Sequence, residues 1–275
     1  MTTLQNSADP RQKAGQMWPP AYFMQDGAQF VPTRLARSPW SAGTIAGGPV
    51  SAMLAHIAER EVLNPQMGIA RFSVDILGTV PNQPLDWTAQ TVRQGRQMQL
   101  HWVQLLADGR VVAQAHILQA RHLDTPAFPA PHDYPDPQSI EDASFLIAAS
   151  MGGAVRTRPV LGSVRQPGRG ICWFALDGEV VSGITPSPFI KAALFGDFGN
   201  GVGSATDARD WSFANLDITL QFLRLPVGEW LLLDAETHGA GNGFATASSI
   251  FADQDGIFAR GFQTVFVAPG MGMVE

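Results

Sequence analysis

Gly47-Gly48-Pro49-Val50-Ser51-Ala52-Met53-Leu54-Ala55-His56-Ile57-Ala58 is the stretch on which the fold turns. Apolar residues recur at Val50, Met53, Leu54, Ile57 and Ala58, the spacing of one helical face, and Pro49 suits a first turn, where no N–H is needed. Asn64-Pro65 stops the helix. Four segments with strand character follow: Ile69 to Val80, Leu85 to Arg93, Met98 to Leu106 and Val111 to Ala120. Pro81-Asn82, Gln94-Gly95 and Asp108-Gly109 separate them, the last being a two-residue hairpin signal. One helix followed by an antiparallel meander predicts an α+β layer in which the sheet curls around the helix.

The same order returns further along. Between the two runs lies a segment carrying Pro126, Pro129, Pro131, Pro135 and Pro137, residues that neither donate to a ladder nor continue a helix. Beyond it come a strand around Gly170 to Leu176, a helix opening at Ser187-Pro188, and strands at Phe213 to Arg224, Glu229 to Glu236, Phe244 to Phe251 and Ile257 to Val267, with Asp255-Gly256 making the last hairpin. A shift of 147 positions, the separation of Gly109 from Gly256, lays helix on helix and hairpin on hairpin, as a duplicated unit would. The expected division is an N-terminal arm over 1–27, a first unit over 28–121, a Pro-rich linker over 122–145 and a second unit over 146–275. The arm, polar and without a steady period, is expected to lie over the domain or to be partly disordered.

Composition narrows the function. With 18 basic and 24 acidic residues the net charge is −6, and no Lys/Arg cluster tracks a phosphate backbone, so nucleic acid is not an expected partner. No apolar run approaches the roughly 20 residues of a membrane helix, so no membrane partner is expected and the chain reads as a soluble, cytoplasmic protein. The single cysteine, Cys172, excludes an intrachain disulfide and sits in the apolar run Ile171-Cys172-Trp173-Phe174 as a buried thiol. His56, His101, His116, His122, His132 and His238 show no metal-ligand spacing. Gly239 to Gly243 has the wrong spacing for a dinucleotide site, and Ser51 lacks a nucleophile elbow.

Three polar residues stand in apolar settings. In Pro188 to Asp197, Ile190, Ala193, Leu194 and Asp197 fall at i, i+3, i+4 and i+7, which puts a carboxylate on the core stripe and in the last turn, where the helix dipole disfavours it. Burial and dipole would both raise its pKa, suiting a base; the same spacing also fits fraying at Gly196, with Asp197 capping the Asn200-Gly201 turn. In Phe213 to Phe222, alternation groups Leu216, Ile218, Leu220 and Phe222 on one face and Asn215, Asp217, Thr219 and Gln221 on the other, either a solvated face or a site. Gln263 shares its face with Gly261, Val265 and Val267, and its amide needs partners if buried, whether structural or functional.

Gly47 to Leu54 and Val92-Arg93-Gln94-Gly95-Arg96, together with Trp211 to Phe222, Leu225 to Leu232 (with Glu229-Trp230-Leu231-Leu232) and Asp255 to Gln263, resemble the acyl-CoA thioesterase II family over roughly 28–268. The resemblance implies two tandem hotdog domains, each an antiparallel sheet wrapped around a central helix. It implies hydrolysis of an acyl-CoA thioester, with a water held by Asp197, Asn215 and Gln263. Asn215 stands where the family is similar in using a hydroxyl; an amide bonds a water but does not relay a proton. Arg93 and Arg96 are the candidates for the nucleotide phosphates, and Gly47 and Gly48, at the helix opening, for substrate binding through backbone N–H groups. No cofactor or metal is implied, and a homodimer or higher homo-oligomer is expected by family analogy. The alternative is a weakly catalytic or non-catalytic acyl-CoA binder. The shift of 147 sets Val50, Gly68 and His116 against the three polar residues, so one site per chain is expected, in the second half.

Overall fold

Helix α1 spans Gly47–Glu61 with eleven consecutive buried residues from Gly48 to Ala58, a helix enclosed by its surroundings on nearly all sides. The computed structural model describes residues 20–145, 154–163 and 166–270. The strands after α1 are β3 (Met67–Ile76), β4 (Asp86–Gln94), β5 (Met98–Ala107) and β6 (Arg110–Arg121). Asp108 and Gly109 both adopt positive φ, as the hairpin dipeptide requires.

In the second half β7 (Val155–Ser163) and β8 (Gln166–Leu176) lead through β9 (Glu179–Val181) to α2 (Pro188–Gly196) and the short α3 (Gly199–Val202). Ser187 caps α2 by accepting from Ile190 N–H at 3.2 Å, and Pro188 opens its first turn. Then come β10 (Trp211–Asn215), β11 (Asp217–Phe222), β12 (Trp230–Gly239), β13 (Phe244–Asp253) and β14 (Gly256–Pro269).

One sheet runs through both halves in the order β4-β5-β6-β3-β11-β14-β13-β12-β8-β7, with β10 also paired to β14. The halves join at β3 and β11, where Thr219 pairs with Ser73 and donates to its hydroxyl at 3.1 Å. The two helices lie antiparallel: the first turn of α1 meets the end of α2, while Glu59 near the end of α1 accepts from Ser187 at the start of α2 at 2.7 Å. Their apolar sides and the inner face of the sheet share one core, including Val50, Met53, Phe72, Phe189, Leu194 and Leu220.

Three features differ from the sequence expectation. Within the expected arm, Ala21–Asp26 forms β1, which pairs antiparallel with β2 (Gln29–Pro32) and parallel with β9, so the start of the chain is stitched to the second half. Residues 1–19 of the arm lie outside the described residues. The alternation over 213–222 breaks, because Asn215 pairs with Val265 whereas Thr219 pairs with Phe262, one residue out of step. That bulge at Leu216-Asp217 reverses the phase, so Leu216 is 45% exposed while Asn215 turns inward with Ile218 and Leu220. Finally, the proline-rich segment packs on the outer face of the second half: Trp173 Nε1 donates to Pro135 O at 3.0 Å and the Tyr134 hydroxyl to Asp234 Oδ2 at 2.6 Å.

Candidate functional site

α2 stops at Gly196, and Asp197 caps it in right-handed helical geometry. This final position throws the carboxylate sideways, onto the opening of α1. The Gly48 N–H, a donor that the first turn of α1 leaves without a helical partner, lies against it and acts to lower its pKa, and the N-terminal dipole favours the charge. Asn215 Nδ2 donates to Asp197 Oδ1 at 2.7 Å and to its backbone carbonyl at 2.9 Å. Burial is the dominant influence and outweighs both hydrogen bonds, so the carboxyl pKa is pushed up to about 6 from an ordinary 3.8. Asp197 keeps some accessible surface and lines a cavity of about 340 Å³.

Both halves build this cavity. Its walls include Gly47, Val50 and Val80 from the first and Phe198, Phe213 and Asn215 from the second, predominantly apolar around the Asp197 carboxylate. Asn215 Oδ1 is buried without a hydrogen-bond partner among the described residues, an acceptor left over beside the carboxylate. Gly47 is needed for close approach: a Cβ there would collide with Asp197 Oδ1. Gly47→Ala should therefore displace the carboxylate and lower kcat by about 100-fold while the melting temperature stays close to the parent's, since a 1 Å error costs about that much in rate. Thiol release and thermal melts on the variant check this, and an undiminished kcat would mean that the carboxylate's position is immaterial.

The sequence candidates divide on this geometry. Asp197 and Asn215 meet directly, and Gly47 and Gly48 adjoin them. Gln263 comes close but does not touch the carboxylate. Its Oε1 accepts from Asn200 N–H at 2.8 Å and its Nε2 donates to Gly196 O at 2.7 Å, so the amide clamps the α2–α3 junction on either side of Asp197. Gln119 does the equivalent at the end of α1, accepting from Asn64 N–H and donating to Asn64 O, each at 2.9 Å. A clamp of this kind in both halves fits a positioning role for Gln263.

Arg93 and Arg96 are not brought to the cavity. Arg93 pairs with Leu100, Leu100 with Leu118 and Leu118 with Arg71, five residues down β3 from Ile76 at the cavity wall. Three strands across and five residues along is roughly 20 Å. The first half also differs from the Val50, Gly68 and His116 register, since the contact related to Asp197 by the antiparallel helices is that of Glu59 with Ser187. Glu59 likewise has its pKa raised by burial, opposed by the Ser187 hydrogen bond. Cys172 is buried, and burial pushes its thiol pKa up, away from nucleophilic use.

Sequence reasoning missed one wall of the cavity, Tyr22. The signal was the short apolar run Ala21-Tyr22-Phe23-Met24 closed by Asp26-Gly27, a strand-and-turn pattern inside a stretch otherwise polar. Among the described residues there is no cluster of His, Cys, Asp and Glu able to hold a metal, and no helix is long and apolar enough to cross a membrane.

Comparison with known proteins bears on this arrangement. The chain is similar in fold to a putative thioesterase from Novosphingobium aromaticivorans DSM 12444, at 21% identity over 89% of this chain and 98% of that one, with a TM-score of 0.69. It is similarly close to the acyl-CoA thioesterase II TesB2 of Mycobacterium marinum, at 17% identity over 90% and 96% of the two chains, with a TM-score of 0.67. No curated protein sequence matches it. Residues 36–120 match the family profile of the acyl-CoA thioesterase N-terminal domain, and residues 126–267 that of the C-terminal domain. With most of its length covered by these two profiles in tandem, the chain belongs to the acyl-CoA thioesterase family, whose chemistry is thioester hydrolysis on a double hotdog fold.

Proposed function

We propose that this protein hydrolyses an acyl-CoA by adding a water, held between Asp197 and the free Oδ1 of Asn215, to the thioester carbonyl. The observation that carries the reading is the Asp197 carboxylate, set into an apolar cavity beside an unpaired amide oxygen. Two acceptors take the two hydrogens of one water and leave its lone pair free to attack. Asp197 accepts the proton as the C–O bond forms; the C–S bond then breaks and the leaving thiolate regains a proton, giving free acid and CoA thiol. An amide suffices here because it only accepts; the proton goes to the carboxylate. Gln263 acts one step back, fixing the backbone from which Asp197 projects.

The pKa gives a test. A base must be ionised to work, so kcat/KM should rise with pH to a limb near pH 6 and then level. Initial rates of thiol release between pH 4.5 and 8.5 would show it; a flat profile through that range would remove Asp197 as the base.

A further inference from the structure

Hydrolysis through a tetrahedral intermediate needs a donor for the carbonyl oxygen as well as a base for the water. At the opening of α1, Gly47 N–H is the donor that carries no hydrogen bond among the described residues; Gly48 N–H lies against Asp197, Pro49 has none, and Val50 N–H bonds back to Ala46 O at 3.3 Å, so a second donor to the carbonyl oxygen would have to come from elsewhere in the cavity wall. Tyr22 stands in the same cavity on β1, in a segment that precedes both family-matched regions.

Tyr22 is 1% exposed, yet no hydrogen bond to its hydroxyl is formed by any described residue. A phenol buried in this way ordinarily finds a partner, and one left without it in a cavity wall is a donor waiting for a ligand. Burial also raises its pKa well above the usual value, so it remains protonated wherever the enzyme works. We propose that the Tyr22 hydroxyl donates to the thioester carbonyl oxygen and stabilises the oxyanion that forms when water adds. This rests on Asp197 as the base, since both groups must serve one substrate.

Tyr22→Phe removes the donor and little else. Its kcat should fall about 100-fold, the size of one lost oxyanion donor, with KM nearly unchanged. The loss should be equal for saturated and 3-hydroxyacyl-CoA substrates, because every thioester has the carbonyl. The limb near pH 6 should persist, and an S-alkyl CoA thioether, which lacks the carbonyl, should bind the variant as tightly as the parent. Parental kcat in Tyr22→Phe, or a loss confined to 3-hydroxyacyl substrates, overturns the assignment while leaving Asp197 untouched. Weakened thioether binding overturns it too, by showing that the ring only shapes the cavity. A parent enzyme without the pH limb would instead sink the Asp197 reading.

Discussion

Asp197→Asn should cost nearly all activity and make the protein more stable at neutral pH. Loss of a general base lowers kcat by about 10²- to 10⁴-fold. The stability gain follows from the sign of the pKa shift. The folded carboxyl titrates near 6 and the unfolded one near 3.8, so only well below pH 3.8 are both states protonated and does the shift contribute nothing. As pH rises, the unfolded chain ionises first and gains free energy that the folded one does not. Above pH 6 the full difference destabilises the fold, about 3 kcal/mol from the shift, and less because the group opens to the cavity and its charge favours the N-terminus of α1. A neutral amide escapes that cost, so a net gain of about 2 kcal/mol and a melting temperature several degrees higher are expected at pH 7.5, shrinking to about 0.5 kcal/mol or less near pH 4. Melts of parent and variant at both pH values, beside thiol release, decide it; equal stability at pH 7.5 would mean that the carboxylate is not held at an energetic cost.

That opposition of stability and activity also explains which parts were readable beforehand. The helix with Pro49 in its first turn and the antiparallel strands are dictated by local patterns, so their order and the duplication came directly from periodicity and turn dipeptides. Asp197 stood out because a carboxylate violates two helix rules at once. Asn215 was placed on the wrong face, since a bulge at Leu216-Asp217 changes the phase by one residue and its cause is tertiary: Leu216 N–H donates to Thr264 O at 2.8 Å, and Asp217 Oδ1 accepts from Thr264 N–H. For Gln263 the residues left structural and functional partners open and only the family resemblance implied a water ligand; the α2–α3 junction that meets both ends of its amide leaves no mark in strand alternation. Arg93 and Arg96 satisfied a motif whose position relative to the cavity depends on pairing across three strands. Tyr22 was hidden because β1 finds its partner β9 more than 150 residues away.

Arg224→Ala should be the more damaging change to the fold. Arg224 and Asp253 form a two-pronged pair at 2.6 Å for each contact, and Asp253 is fully buried. The same carboxylate accepts from Val227 N–H at 2.8 Å and Asp255 N–H at 2.9 Å, tying the Leu225–Gly228 turn to the Asp255-Gly256 hairpin. Burial alone would raise the Asp253 pKa, but Arg224 and the two N–H groups overcome it and leave the value below the ordinary one. In the parent this pairing therefore stabilises the fold above the unfolded carboxyl's pKa and is lost only as pH falls through the lower folded value. Without the guanidinium, burial prevails and the sign reverses, so the orphaned charge destabilises the fold most at neutral pH. The expected loss is about 3–5 kcal/mol at pH 7.5, shrinking on acidification as the carboxyl takes up a proton. Activity per folded molecule should hold, because Asp253 ends β13 far from Ala245, which pairs with Val265 beside Asn215. Denaturant unfolding at pH 7.5 and 5 checks both statements, and replacing the pair together, Arg224→Met with Asp253→Leu, should recover much of the loss, because the cost lies in the unpaired charge. A double variant as unstable as Arg224→Ala would show that the turns depend on the hydrogen bonds themselves.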